Sequence, residues 1–262
     1  MTDWLARGQA RLAVHQRGAG LPVVFQHGLC GDARQTLEAF PDPAAYRLLT
    51  LECRGHGQSD MSGPYSIAQF SDDVMALIGT LNGPVVLGGI SMGAAIAMRI
   101  AVMRPDLVRG LILVRPAWVT DAAPQNMEPN AEVGRLIATL GAEARARFAA
   151  SLTAARLAVD APDNLASLMG FFDRHPLAQT AALLQSIAAD GPGITKAQLS
   201  GLRLPRLICG TTGDAIHPLS HVQELAHLIP GAAMVTLPPK GRDKTAHLAA
   251  LHAAITAFLK EC

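Results

Sequence analysis

Short apolar runs recur along the chain, and longer stretches with helical spacing of apolar residues separate most of them. Runs of this length, bounded by glycine, proline or polar residues, are typical of strands buried in a sheet. The pattern predicts a hairpin over residues 4–16 around Gly8 and then strands at Pro22–Gln26, Tyr46–Glu52, Val85–Leu87, Val108–Val114, Leu204–Cys209 and Ala232–Leu237.

Helices are predicted between these strands. Asp32 is a candidate N-cap for a helix over Ala33–Phe40, and Ser66 for a helix that ends near Leu81. Further helices are predicted at Ala94–Met103, Leu219–Ile229 and Thr245–Leu259. Since strands alternate with helices, we expect an α/β fold with a doubly wound, mostly parallel sheet and the N-terminal hairpin as its antiparallel edge.

Residues 117–202 depart from this alternation, because they contain no convincing strand. Ala-rich helical stretches punctuated by prolines fill the interval instead. We predict an all-helical cap inserted between two strands, with residues 1–116 and 203–262 as the core. The helices predicted in the cap are Ala131–Leu140, Glu143–Leu157, Asp163–Phe172 and Leu177–Ala189.

Composition and charge narrow the class of protein. The 262 residues are 50% hydrophobic, which suffices for one large domain with an insertion, and the net charge of +1 predicts neither nucleic-acid nor membrane binding. The four cysteines are scattered, which indicates a reducing compartment and neither a disulfide framework nor a zinc site. The N-terminal residues have no signal-peptide pattern, so we expect a cytoplasmic protein.

One stretch carries candidate chemistry. After the strand that begins at Val85 come Gly89-Ile90-Ser91-Met92-Gly93 and then a helix. A G-x-S-x-G pattern between a strand and a helix predicts a nucleophile elbow, a tight turn that exposes the serine hydroxyl above the sheet edge. The Met92 N–H at the start of the helix is then placed to bind an oxyanion. The alternative is a glycine-rich turn with a passive serine.

A serine nucleophile needs a base and an acid that orients the base. In the elbow arrangement the acid and then the histidine follow the serine along the chain, which favours Asp214 and His247. His252 is the fallback base. His217 is close to Asp214 but lies before the last strand, and His221 and His227 fall on an amphipathic helix, so we favour none of these three.

The order of motifs resembles that of the α/β-hydrolase superfamily with a helical cap. The resemblance rests on His27-Gly28, Arg54-Gly-His-Gly-Gln-Ser59, the elbow, Gly210-x-x-Gly-Asp214 and His247, and it runs nearly end to end outside the cap. It implies a triad of Ser91, His247 and Asp214, an oxyanion hole from the N–H groups of Leu29 and Met92, and no metal or organic cofactor.

The chain also departs from the superfamily pattern. Glu52 stands where relatives often have aspartate, the loop Pro238–Ala246 is longer and more charged than usual, and His247 is not preceded by glycine. These departures affect the register of the base. The serine nucleophile is unlike the aspartate of epoxide hydrolases and haloalkane dehalogenases.

Three residues near the predicted site are candidates for substrate binding. Arg54 and Arg115 each follow a strand and could bind a carboxylate, and Trp118 could line an acyl pocket. The alternatives are that Arg54 anchors its own loop and that Trp118 packs the cap.

These inferences together predict a serine hydrolase that cleaves an ester or lactone of a small molecule. Hydrolysis of a C–C, amide or thioester bond by the same residues is an alternative, as is a homologue that binds a small molecule without turnover. The oligomeric state is left open.

Overall fold

The computed structural model describes residues 2–42 and 45–262. Within these residues, eight strands form one sheet in the order β1-β2-β4-β3-β5-β6-β7-β8. The strands are β1 (Thr2–Arg7), β2 (Ala10–Arg17), β3 (Leu21–Gln26), β4 (Tyr46–Leu51), β5 (Val85–Ile90), β6 (Val108–Val114), β7 (Arg206–Thr211) and β8 (Ala233–Leu237).

The strand directions confirm the predicted sheet. β1 pairs antiparallel with β2, and β2 with β4, whereas every pair from β4 to β8 is parallel. The carboxyl ends of the parallel strands therefore meet at one edge, where open α/β sheets bind their ligands.

Helices cover both faces of the sheet because neighbouring strand residues point to opposite sides. Leu87 packs with the helices on one face, and Val86 packs with Ala39, Leu251 and Ile255 on the other. The helices are α1 (Ala33–Ala39), α2 (Ile67–Ile78), α3 (Met92–Met103), α4 (Glu128–Leu140), α5 (Ala144–Ala149), α6 (Leu152–Asp160), α7 (Pro162–Gly170), α8 (Leu177–Ala188), α9 (Lys196–Ser200), α10 (Leu219–Leu228) and α11 (Lys244–Leu259).

The predicted N-caps lie where the sequence placed them. Asp32 accepts a hydrogen bond from the Arg34 N–H at the start of α1, and Ser66 accepts one from Gln69 at the start of α2. Each side chain satisfies a backbone donor that has no partner inside the helix.

The segment between β6 and β7 is helical and contains no strand, as expected. One predicted helix, Glu143–Leu157, is instead two helices, because Ser151 accepts a hydrogen bond from the Ala154 N–H and caps a new helix that begins at Leu152. The short α9 was not predicted. Its signal is a capping box in which Thr195 and Gln198 bind each other's backbone N–H.

Helices α4 to α8 share a core of their own, which includes Val133, Phe148, Leu168 and Leu184. The cap boundaries at 117 and 202 stay a prediction. Among the described residues, no helix is both long and apolar enough to span a bilayer.

Candidate active site

Ser91 lies at the junction of β5 and α3 in a backbone conformation that few residues with side chains adopt. Its φ is 56° and its ψ is −110°, and its N–H donates to the Val114 carbonyl at the end of β6. Such strain costs energy and persists only where the surrounding packing enforces it. The turn between a buried strand and a buried helix supplies that packing here.

The glycines beside Ser91 are required by close contacts. A Cβ on Gly93 would lie 2.4 Å from the Gln26 carbonyl oxygen, and one on Gly89 would lie 2.5 Å from the Gly93 carbonyl carbon. Both distances are far below contact range, so neither position accepts a side chain without moving the backbone. The glycines therefore let β3, β5 and α3 approach closely enough to form the elbow.

Two backbone N–H groups near Ser91 are free to bind a ligand. Gly28 N–H donates to Gln35, and Cys30 N–H donates to His56 Nε2, which fixes the loop on both sides of Leu29. Within the described residues, the N–H groups of Leu29 and Met92 have no such partner. This is the arrangement that the predicted oxyanion hole needs, and their role stays a prediction.

His56 and His27 hold the loops around the site through both nitrogens of each ring. His56 Nε2 accepts from Cys30 while Nδ1 donates to the Arg54 carbonyl, and His27 is bonded similarly to Cys53 and Gly28. Burial lowers the pKa of both imidazoles, so both rings are neutral at pH 7.

A cavity of ≈ 890 Å³ opens at this edge of the sheet between the core and the cap. Ser91, Leu29 and Cys30 line it from the core, and Asn130, Leu168 and Phe171 line it from the cap. Several arginine and lysine residues also line the cavity. They are Arg34, Arg115, Arg174 and Lys240.

Asp214 follows β7 and is almost completely buried, with 4% of its side chain exposed. Arg115 Nε donates to its Oδ2 at 2.8 Å, and Asn164 Nδ2 donates to its Oδ1 at 2.9 Å. Burial by itself would raise the pKa of Asp214, but His217, Arg115 and Asn164 hold it well below its usual range. Asp214 is therefore a carboxylate at neutral pH.

The imidazole beside Asp214 belongs to His217. Its Nδ1 lies 2.9 Å from Oδ1 and 3.0 Å from Oδ2 of Asp214, and its ring lines the same cavity as Ser91. Burial lowers the pKa of His217, and nearby Arg115 lowers it further, whereas Asp214 acts in the opposite sense. His217 is thus neutral near pH 7.

His247 has a different partner from the one expected. It lies buried in the first turn of α11, and its Nδ1 lies 2.8 Å from the Pro238 carbonyl oxygen. Among the described residues, no hydrogen bond joins His247 to Asp214, so the expected Asp214–His247 pairing is not formed. His252 lies elsewhere, with Nε2 bonded to the Glu38 carbonyl.

The three candidate substrate-binding residues differ in position. Arg115 lines the cavity. Arg54 does not, because its guanidinium is bonded to Asp73 of α2 at 2.6 Å, which favours the alternative that it anchors its own loop. Trp118 is fully buried and donates from Nε1 to the Asp190 carbonyl, which favours a packing role.

Sequence reasoning missed Asn164, a cap residue that binds the Asp214 loop. Besides its bond to Asp214, its Oδ1 accepts from the Ala215 N–H at 2.6 Å. No local pattern marks an asparagine in the first turn of a cap helix as part of the site. The proximity of His217 to Asp214 was visible in the sequence, but chain order argued against using it.

Within the described chain, no group of three or more His, Cys, Asp or Glu side chains is arranged to hold a metal ion. Cys30 lines the cavity, but burial raises its pKa to about 12, so it is a thiol and not a thiolate nucleophile.

Comparisons with known proteins agree with this architecture. BpoC of Mycobacterium tuberculosis, a candidate non-heme bromoperoxidase, is 27% identical over 238 residues, which cover 88% of this chain and 90% of BpoC. An sn-1-specific diacylglycerol lipase of Mus musculus is 36% identical over 129 residues, which cover 47% of this chain and only 40% of the lipase. The match thus spans less than half of that lipase.

One solved structure is similar to this chain over almost its full length. The enol-lactonase from Burkholderia xenovorans LB400 superposes with a TM-score of 0.72 at 25% identity and covers 98% of this chain and 100% of the lactonase. Residues 23–258 also match the model of the alpha/beta hydrolase family. The chain therefore belongs to the alpha/beta hydrolase family.

Proposed function

We propose that the protein is a serine hydrolase that cleaves a carboxylic ester or lactone of a small molecule. The single observation that supports this most strongly is Ser91, held at positive φ at the start of α3 on the wall of the cavity. Strain of this kind is expected where a nucleophile must stand clear of the sheet.

In this proposal Ser91 Oγ attacks the substrate carbonyl, and the Leu29 and Met92 N–H groups bind the oxyanion. A histidine oriented by a carboxylate takes the Ser91 proton and returns it to the leaving oxygen, and water then releases the acid. Asp214 is the carboxylate. Chain order favours His247 as the base, and the contacts of Asp214 favour His217.

The cavity and the relatives support the proposed substrate class. A volume of ≈ 890 Å³ lies within the range of about 300–1,000 Å³ that is usual for small-molecule sites. The similar enol-lactonase and diacylglycerol lipase are named for lactone and ester substrates. Amide, thioester and C–C hydrolysis use the same residues and are distinguished by a substrate panel.

One observation favours a second candidate, a homologue that binds a small molecule without turnover. Arg115 occupies Asp214 Oδ2, and among the described residues His247 is bonded to the Pro238 carbonyl and makes no hydrogen bond with Asp214. A protein of this kind would bind ligand in the same cavity and would not react with a serine-directed probe.

Ser91→Ala separates these candidates. We expect the wild type to hydrolyse short p-nitrophenyl esters or simple lactones and to be labelled by a fluorophosphonate, and the variant to lose labelling and at least about 10³-fold in kcat. Ser66→Ala, at the N-cap of α2, is the matched control. A wild type that is not labelled, or a labelled Ser91→Ala variant, contradicts the proposal.

A further inference from the structure

The acid and an imidazole of this site lie three residues apart on one loop. Asp214 and His217 are both in the segment between β7 and α10, and the His217 N–H also donates to Asp214 Oδ1 at 3.0 Å. Asn164 of the cap holds the loop through Asp214 and the Ala215 N–H. The relative position of the carboxylate and the ring is therefore fixed by the backbone of a single turn.

The contacts of His217 determine its tautomer. Both oxygens of a carboxylate that stays ionised lie within 3.0 Å of Nδ1, and these oxygens can only accept. Nδ1 must then carry the proton, because an unprotonated nitrogen would face two acceptors. Arg115 Nη2 lies farther from Nδ1, at 3.2 Å, and already donates to Asp214. Nε2 is left with a lone pair, as a general base requires.

His217 also shares the cavity with Ser91, whereas His247 does not line it. The loop after β8, which was expected to supply the base, contributes Lys240 to the cavity instead. The ring of His247 is oriented by the Pro238 carbonyl, a neutral acceptor that stabilises an imidazolium less than a carboxylate does. Two independent features thus favour His217: its hydrogen bond to Asp214 and its place on the wall of the cavity that Ser91 lines.

We propose that His217, and not His247, is the general base that takes the proton of Ser91. This inference rests on the proposed function and deepens it. The acid and base of the hydrolase then come from one Asp-x-x-His turn rather than from two loops.

The reaction is balanced with water as the only co-reactant. The Ser91 Oγ–H proton moves to His217 Nε2 as Oγ bonds to the substrate carbonyl carbon. The bond from that carbon to the leaving oxygen breaks, and the leaving oxygen takes the proton from Nε2. Water then gives a proton to Nε2 as it bonds to the acyl carbon, and Ser91 Oγ recovers that proton as the acid leaves.

The charges around His217 set the pH dependence of this step. Asp214 on its own loop stabilises the imidazolium, whereas Arg115 from the end of β6 and Lys240 from the loop after β8 oppose it. His221 on α10 is a further titratable neighbour. We expect kcat/KM to fall on the acid side, with a limb below pH 6.5 that is due to protonation of His217.

Three glutamine substitutions test the inference. We expect His217→Gln to lower kcat by about 10³- to 10⁴-fold and to slow fluorophosphonate labelling of Ser91 in proportion. His247→Gln should lower kcat by less than about tenfold. His227→Gln, at an exposed position near the end of α10, is the control for a histidine that touches nothing in the site.

Restoring activity with added imidazole distinguishes a variant that has lost only its general base from one that is misfolded. His217→Gly leaves a space beside Asp214, and added imidazole should restore activity at least tenfold with an acid limb that follows the pKa of the added base. His247→Gly should show no such response. Asp214→Asn combined with His217→Gln should be no worse than His217→Gln alone, because the two residues act as one unit.

The outcomes that overturn the inference are distinct from those that overturn the function. If Ser91 is labelled and the wild type is active, but His247→Gln loses as much activity as His217→Gln or more, His217 is not the base. Failure of imidazole to restore His217→Gly contradicts it as well. If the wild type neither turns over esters nor reacts with the probe, the proposed function fails, and the role of His217 fails with it.

Discussion

Ser91 shows how one residue can be held in a conformation that its own side chain disfavours. A non-glycine residue at positive φ typically costs about 1–3 kcal/mol. The cost is met because the Ser91 N–H is bonded to Val114 and because Gly89 and Gly93 leave no room for the turn to relax. The strain is local, and relieving it should increase the free energy of unfolding.

Ser91→Gly should therefore stabilise the protein against unfolding by about 1 kcal/mol, since glycine accepts positive φ without a steric penalty. Ser91→Ala is the matched control, because it removes the same hydroxyl and retains the Cβ. Urea unfolding of the two variants measures the difference. Equal stabilities, or a less stable glycine variant, would show that the elbow is not strained.

At the scale of elements, the cap helix α7 contributes to the site although it lies far from Ser91 in the sequence. Asn164, 3% exposed, binds Asp214 and the Ala215 N–H, so the cap holds the loop between β7 and α10. A buried donor or acceptor that loses its partner costs about 1–3 kcal/mol. The position of the Asp214 loop thus depends on the docking of the cap.

Asn164→Ala should lower kcat by about tenfold or more and destabilise the protein by roughly 2–3 kcal/mol, because Asp214 and the Ala215 N–H each lose a buried partner. Steady-state kinetics and urea unfolding measure the two effects. Ala166→Asn, on the exposed side of α7, is the control for a general disturbance of that helix. An Asn164→Ala variant that keeps wild-type kcat would show that the cap does not position the acid.

At the scale of the molecule, the part of the chain that the structure describes buries four histidines around the same edge of the sheet. Burial is the main cause that lowers the pKa of His27, His56, His217 and His247. In the unfolded chain the same groups have ordinary pKa values near 6.5. Between its folded and unfolded pKa, each histidine binds a proton in the unfolded state and not in the folded state.

The free energy of unfolding should therefore be fully retained above pH 6.5 and should fall as the pH is lowered below it. Each histidine that takes up a proton on unfolding contributes up to about 1.4 kcal/mol per pH unit. Asp214 changes the free energy of unfolding in the same direction, because folding lowers its pKa as well. Its contribution is lost only below about pH 4, where the unfolded carboxyl group takes up a proton. Urea unfolding at pH 7.5, 6.5 and 5.5 tests this. If the free energy of unfolding stays constant or increases as the pH is lowered from 7.5 to 5.5, these rings are charged in the folded protein.

The sequence by itself determined the elements that depend on local patterns. The strands, the caps at Asp32 and Ser66, the glycine spacing around Ser91 and the helical insertion all follow from short-range sterics and periodicity. Chain order placed Asp214 after β7. Only the tertiary structure decided which imidazole meets that carboxylate, and that Arg115 and Asn164 bind it too. Contacts of this kind join loops that are far apart in sequence, and where those loops converge depends on the packing of the sheet and the cap, to which no local pattern corresponds.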